Sequence, residues 1–379
     1  YEKGFTTPAA LQLTADMTQT ALNLPMLNWE KAEQVPASAK LALVLEKGAA
    51  QLKQLALQGP QLDVQVSGAL ATGLQPKSLT CKPCIIGRND LRAKLDFIDG
   101  TLTELALTGA ALDYHDTSPK QPDAKPKAMR LKLDIGKFYQ GDDRFFANVR
   151  GTLRRDVIGW DMIDLKAVAE GRVPVTVSLL PQTNGTRKLS ITTDDFGDVL
   201  RAADVTDQVH EGKLTITGSS TAAEPYRIMG KVDLRNYRVR KLPFLAVLLN
   251  AASFTGFADM LGGQGLNFDR LEGGFDWNGQ KLGLDDWRTA GGALGLNIEG
   301  EIDFAASRAD LRGTVVPFSF FNSIVGTIPL VGDIITGGKG GGLVAATYQA
   351  KGPLEKLDVT VNPVSFLAPG ILRRIFFQG

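Results

Sequence analysis

Apolar and polar residues alternate along most of this chain. Leu62 to Val66, Leu131 to Ile135, Val173 to Val177, Leu214 to Thr217 and Leu357 to Val361 each put apolar side chains at every second position, and Leu41 to Leu45 is apolar throughout. A period of two is the signature of a strand with one apolar face. Gly48, Asp99-Gly100, Asn184-Gly185 and Asn278-Gly279 punctuate these runs, and Asp-Gly and Asn-Gly tolerate the positive φ of tight hairpins. The pattern predicts a mainly β protein whose sheet is mostly antiparallel.

One repeat is legible: LKQLALQGPQLDV at 52–64 and LTELALTGAALDY at 102–114 share L-x-x-L-x-L-x-G-x-x-L-D, with a looser relative from Leu282 to Ile298. Repetition of a hairpin unit predicts an elongated sheet built by stacking; the alternative is coincidence among leucine-rich strands. Asp116 to Lys127, with Pro119, Pro122 and Pro126, reads as an exposed linker or a long hairpin loop. It divides the chain into an N-terminal sheet segment (1–115), the Pro-rich stretch (116–127) and a C-terminal β-rich domain (128–376), and 377–379 reads as a possible tag remnant.

Helices are few. Asp194-Asp195-Phe196 starts a short one, with Val199, Leu200 and Ala203 as its apolar stripe. A second begins at Pro243 and carries Phe244, Val247, Leu248, Ala251 and Ala252, ending at Gly262-Gly263. The uncharged run Val315 to Gly332 is punctured by Pro317, Gly326 and Pro329, so it reads as buried or interfacial rather than as a span.

Composition narrows the function classes. The 379 residues carry 42 Lys+Arg against 41 Asp+Glu, a net charge of +1, without the basic excess of a nucleic-acid binder. A hydrophobic share of 44% with 22% charged residues describes a folded chain, and the 7% aromatic share predicts a thin aliphatic core.

Candidate chemistry is sparse. No G-x-S-x-G, H-E-x-x-H or G-x-G-x-x-G is present, and the glycine run 337–342 lacks P-loop spacing, so no cofactor is predicted. His115 and His210 read as solvated loop residues, and Asp134, Asp161, Asp164, Asp233, Asp276, Asp285 and Asp286 as polar-face or turn residues. Cys81-Lys82-Pro83-Cys84 is a C-x-x-C without the strand-to-helix context of a redox site. A local structural disulfide or incidental thiols come first for Cys81 and Cys84, ahead of redox and metal roles; a disulfide implies an oxidising compartment.

So many alternating strands leave a large apolar face to cover. A second sheet covers it in a sandwich, the reading that composition favours. Otherwise a curved sheet lines a groove for acyl chains.

The last third shifts that balance. Asp195 to Ala202 (DFGDVLRA), Glu211 to Gly218 (EGKLTITG) and Leu242 to Leu245 open the pattern. FADMLGGQGLNFDRLEGGF (257–275), Gly300 to Asp303, the run LRGTVVPFSFFNSIVGTIPLVGDIITGG (311–338) and VTVNPVSFLAPGILRRIF (359–376) continue it. Over roughly 190–376 the chain resembles the C-terminal part of the AsmA-like, YhdP-type family of bacterial envelope proteins. The resemblance implies a long twisted antiparallel sheet forming an open apolar trough, with a few short amphipathic helices. It implies bridge-like, non-enzymatic transfer of phospholipid or another acyl-chain lipid between inner and outer membranes in outer-membrane biogenesis. It also implies a periplasmic location, with the parent chain anchored in the inner membrane by an N-terminal helix that this sequence lacks.

Leu131, Leu133, Ile135, Val175, Val177, Leu214 and Ile216 are the candidates for the lipid-facing side. Phe318, Phe320, Phe321, Ile324, Leu330, Ile334 and Ile335, with Leu372, Ile375 and Phe376 beside Arg373-Arg374, are the candidates for membrane contact. A scaffold binding envelope protein partners through sheet edges is the second reading. A periplasmic enzyme acting on lipid or glycan is the third.

Overall fold

The computed structural model describes residues 9–46, 49–114, 127–241, 243–251, 262–292, 294–317 and 343–367. Twenty of its twenty-two strands belong to one open, almost wholly antiparallel sheet; the other two form a separate ribbon. The second sheet of a sandwich is therefore absent among the described residues. The runs expected as strands lie in strands, save that Leu357 falls one residue before the last of them. The chain divides into two compact units, residues 1–178 with 202–204, and the remainder.

In the first unit the ladder starts with β1 (Ala9–Asp16), which pairs with β4 (Ser38–Glu46). It continues through β5 (Ala49–Gly59), β6 (Leu62–Leu70), β7 (Pro76–Ile86), β8 (Asn89–Ile98) and β9 (Thr101–Asp113), each antiparallel to the last. β9 and β10 (Met129–Tyr139) are parallel, and β11 (Phe145–Arg155) and β12 (Trp160–Ala169) restore the antiparallel order. Residues 115–126 of the Pro-rich stretch lie outside the described residues, but the strands either side of it, β9 and β10, pair directly. The parallel pair excludes a hairpin there, because parallel neighbours need a crossover.

β2 (Leu22–Leu24) and β3 (Trp29–Lys31) form the ribbon. Trp29 packs on Leu62, Val64 and Cys81, closing one end of this unit's apolar face. Three hydrogen bonds from one buried amide hold the region beside it: Asn89 Nδ2 donates to the Leu27 and Ile86 carbonyls, each at 2.9 Å, and Asn89 Oδ1 accepts from the Asp113 amide at 2.6 Å. Lys31 is also buried, and its ammonium donates to the Ala32 and Val35 carbonyls.

β13 (Val173–Pro181) runs through the boundary residue. The second unit is an antiparallel meander of β14 (Arg187–Thr193), β15 (Val209–Ser219), β16 (Ile228–Val239), β17 (Leu266–Trp277), β18 (Lys281–Ala290), β19 (Leu294–Asp303), β20 (Arg308–Pro317), β21 (Leu343–Pro353) and β22 (Asp358–Leu367). Helix α1 (Phe196–Ala202) starts where Asp195 Oδ1 accepts from the Asp198 amide at 3.0 Å, the cap its acidic start predicts. Helix α2 (Pro243–Ala251) lies against β22 and buries Leu245, Leu248 and Leu249.

Bulges keep the apolar side chains in phase. Leucines three apart in a regular strand point to opposite faces, and one extra residue returns them to the same face. Leu52 and Leu55 of β5 oppose Gly68 and Val66, which are only two apart. Cys81 and Cys84 of β7 oppose Val66 and Val64 on one side and Ala93 and Leu91 on the other. Leu284 and Trp287 of β18 oppose Gly300 and Ile298 of β19.

The bulges also explain the repeat. Its L-x-x-L half makes a bulge in both copies: at Leu102 and Leu105 the β8–β9 register shifts as it does at Leu52 and Leu55. The second halves diverge. Pro60-Gln61 turns the chain, with Gln61 at φ 53°, whereas Ala110-Ala111 continues β9 to Asp113. The repeat is thus a shared bulged strand, not the shared hairpin expected.

Cys81 and Cys84 are joined in a disulfide that spans the β7 bulge. Closing so short a loop in the unfolded chain predicts a stabilisation of about 2 kcal/mol. The Cys81→Ala/Cys84→Ala double variant should lose that much in urea denaturation, and dithiothreitol should destabilise the parent chain but not the variant. At Gly273 a Cβ would lie 2.2 Å from Trp287 Cδ1, so Gly273→Ala should lower stability by roughly 1–3 kcal/mol and red-shift tryptophan emission as the indole is displaced.

Candidate functional site: an apolar face in each unit

Residues paired across a ladder share a face, so the registers trace which side chains lie together. In the first unit one row runs from Leu43 on β4 through Leu52, Gly68, Leu79 and Leu95 to Leu105 on β9. It continues through Leu131, Leu153 and Ile163 on β10 to β12, and Leu11 extends it onto β1. A parallel row holds Leu41, Leu55, Val66, Cys81, Ala93 and Leu107, then Leu133, Gly151 and Leu165. A third carries Leu57, Val64, Cys84, Leu91 and Gly109, then Ile135 and Val149.

Burial is graded across these rows. The third, nearest the ribbon, holds Val64, Leu91, Ile135 and Val149, all buried, with Ile135 at 1% exposure. In the first two rows Leu79, Leu95, Leu107, Leu131, Leu133, Leu153, Ile163 and Leu165 stay half-buried. A continuous strip of half-buried leucines is uncommon on a folded surface without something to cover it.

The second unit repeats the arrangement with aromatics over glycines. Leu189, Gly218, Gly230, Phe275, Leu284 and Gly300 form one row, extended by Leu311, Ala350 and Val359. The Phe275 ring lies over Gly230, where a Cβ would come within 2.6 Å of it, and close against Gly218, at 3.2 Å. The next row runs Ile191, Ile216, Val232 and Gly273, and then Trp287, Ile298, Gly313, Tyr348 and Val361. Trp287 Nε1 donates to the Gly274 carbonyl at 2.7 Å and Tyr348 Oη to that of Asn297 at 2.9 Å. These bonds lay both rings along the sheet. Thr193, Leu214, Leu234, Leu296, Val315 and Ala346 make a more buried row. Burial pushes the Tyr237 hydroxyl pKa up, partly offset by its 2.6 Å hydrogen bond with Thr289 Oγ1.

Of the candidate lipid-facing residues, Leu131, Leu133, Val177 and Ile216 are half-buried, while Ile135, Val175 and Leu214 are buried. Leu131, Leu133 and Ile135 share the first unit's face, and Leu214 and Ile216 lie on the second unit's face. The neighbours in the same rows, such as Leu95, Leu107, Leu153 and Leu165, were not singled out from the sequence. Their strands alternate as clearly, but which strands pair, and in what phase, is set by the ladders. The membrane-contact candidates Phe318, Phe320, Phe321, Ile324, Leu330, Ile334, Ile335, Leu372, Ile375 and Phe376, with His115, lie outside the described residues. Among those described, no helix is long and apolar enough to cross a membrane, and no group of three or more His, Cys, Asp or Glu could hold a metal ion.

The opposite face is charged and paired. Arg150 binds Asp134 at 2.8 Å, Lys132 binds Glu104 at 2.5 Å and Arg154 binds Asp161 at 2.8 Å. In the second unit Arg227 binds Asp276 at 2.5 Å, Lys281 binds Glu301 at 2.7 Å and Arg270 binds Asp233 at 2.6 Å. Five of the scattered aspartates (Asp134, Asp161, Asp233, Asp276 and Asp286) are thereby ion-paired, the last to Arg288. The open depression beside Arg227, Asp276, Lys281 and Glu301 is lined by charges that already neutralise one another.

Comparison with protein-family models, with curated proteins and with solved structures finds no match to this chain.

A hydrogen bond from Arg235, with a further one from Arg270, holds the Asp233 carboxyl at about 2, below its ordinary 3.8. A carboxyl held low in the folded chain stabilises it above the unfolded value and loses that contribution as pH falls through the folded value. The site is partly solvated, so screening limits the effect to under about 1 kcal/mol. Asp233→Asn should therefore be less stable than the parent at pH 7 by that margin. The difference should shrink between roughly pH 4 and pH 2 when melting is followed by circular dichroism.

Proposed function

We propose that this chain is a non-enzymatic carrier of acyl-chain lipids, with the apolar rows of its sheet as the inner lining of an open trough. The observation that carries the reading is the continuity of half-buried leucines across consecutive strands, behind a polar face that carries paired charges. Each methylene removed from water is worth about 0.8 kcal/mol, so an acyl chain laid along such a row gains affinity without any head-group chemistry. The resemblance of 190–376 to the AsmA-like, YhdP-type family points to phospholipid as cargo, to the periplasm and to movement between inner and outer membranes. The Cys81–Cys84 disulfide agrees with an oxidising compartment. A second reading, a scaffold that pairs with envelope proteins through a sheet edge, draws on β1, where Leu11 and Leu13 are exposed.

The test is lipid mass spectrometry on organic extracts of protein purified without detergent from a bacterial host. Near-stoichiometric phospholipid is expected. Leu133→Asp and Ile216→Asp replace half-buried row residues, so both should reduce lipid several-fold while the circular dichroism spectrum is retained. Lipid-free protein would sink the carrier reading, and unchanged lipid in both variants would sink the assignment of these rows. Ile135→Asp is the wrong probe, because Ile135 is buried and a charge there disrupts the fold.

A further inference from the structure

We infer that the first unit carries a lipid-surface contact along one edge, formed by the tips of three turns. β6, β8 and β11 run toward this edge, and β7, β9 and β12 run away from it. The turns they make therefore project the same way. With strands about 4.8 Å apart, the three tips are spread over about 25 Å of that edge.

Apolar side chains occupy these tips. Leu74 is 53% exposed, Ile98 65%, Val157 61% and Ile158 65%, and Trp160 at the start of β12 is 37% exposed. Turn tips are ordinarily polar. The strand-to-strand turns of the opposite edge follow that rule, with Arg88, Asp142, Asp143, Arg144 and Arg172 in or beside them, while Leu24, Met26 and Tyr114 there are less exposed, at 38–41%. The asymmetry lies between two edges of one unit built from the same strands.

The β11–β12 turn is ordered for display. Asp156 Oδ1 accepts from the Ile158 amide at 2.8 Å and the Gly159 amide at 3.1 Å, which turns its carboxylate back onto the loop and leaves Val157 and Ile158 pointing out. The Arg155 guanidinium lies over the Trp160 ring, 5.5 Å from its centroid, and Arg155 Nε donates to the Lys127 carbonyl at 3.1 Å. Lys127 and Lys77 are exposed beside the tips. Against these three cations stand Asp99, in the β8–β9 turn, and Asp156, bound to its own loop. Aliphatic tips, a tryptophan and flanking Lys and Arg are the mixture that settles at a bilayer interface. Apolar tips spread along one edge, with cations beside them, suit an extended surface with an apolar interior and anionic groups at its face. The occupant is a bilayer surface containing anionic lipid.

This inference does not depend on the carrier reading, and the test separates them. The full chain is floated with vesicles of phosphatidylcholine, alone and with phosphatidylglycerol. Binding is expected, stronger with phosphatidylglycerol. The Val157→Asp/Ile158→Asp double variant and Ile98→Asp should each weaken it by about tenfold or more, since an interfacial aliphatic side chain contributes at least that much. Co-extracted lipid should be unchanged in both, because neither variant touches the apolar rows. Both sites are exposed, so an unaltered melting temperature confirms that the fold persists. Absence of vesicle binding by the parent chain, or equal binding by both variants, overturns the inference. Self-association of the parent that Ile158→Asp abolishes, without vesicle binding, would assign the edge to a second copy and overturn it equally.

Discussion

A strand has only two faces, and a register slip of one residue exchanges them. Every apolar row in this protein depends on that constraint. Ten paired strands in the first unit, β1 and β4 to β12, place a residue at the same height on the same side. Any strand whose apolar residues fall three apart would break the row. The bulges at Leu52/Leu55, Cys81/Cys84 and Leu284/Trp287 absorb the extra residue and restore the phase. The disulfide fastens one of them, with both sulfurs on the apolar side.

This gives the C-x-x-C a physical place in the sheet. As a redox motif it lacks a helix, and as half a metal site it has no partners among the described residues. As a bulge closed by a disulfide, its spacing is what two cysteines on one face of a bulged strand require. Lys82 and Pro83 are the residues left over. Proline suits a bulge because it has no amide hydrogen to leave unpaired.

Local alternation was enough to locate β6, β10, β13, β15 and β22, because a period of two needs no knowledge of neighbours, and a short apolar run located β4. The Asp99-Gly100 hairpin was equally local: both residues sit at positive φ, 48° and 71°. Pairing was less accessible. Nothing in the Pro-rich stretch distinguishes a hairpin from a parallel crossover, and the structure has the parallel pair β9–β10. The repeat misled for a related reason. Thirteen similar residues fold as a hairpin at Pro60 and as one strand through Ala110, since a single proline decides between turning and continuing. Candidate lining residues on β10 and β15 were legible one strand at a time, whereas the burial that separates Leu133 from Ile135 arises from packing that no single strand reveals.

The two faces of the sheet demand different things of the same strands. The charged face holds its ions in pairs at 2.5–2.8 Å, such as Lys132–Glu104 and Arg150–Asp134. Such exposed pairs add little stability individually, but every strand from β8 to β12 contributes to that face, which therefore stays in water. The leucine rows are then confined to the other side. Among the described residues no second sheet covers the apolar side; in the first unit the β2–β3 ribbon packs on Leu62, Val64 and Cys81, and in the second helix α2 lies against β22. In the first unit the half-buried leucines Leu79, Leu95, Leu107, Leu131, Leu133 and Leu153 are already ordered by the ladders, so covering them costs little further side-chain entropy.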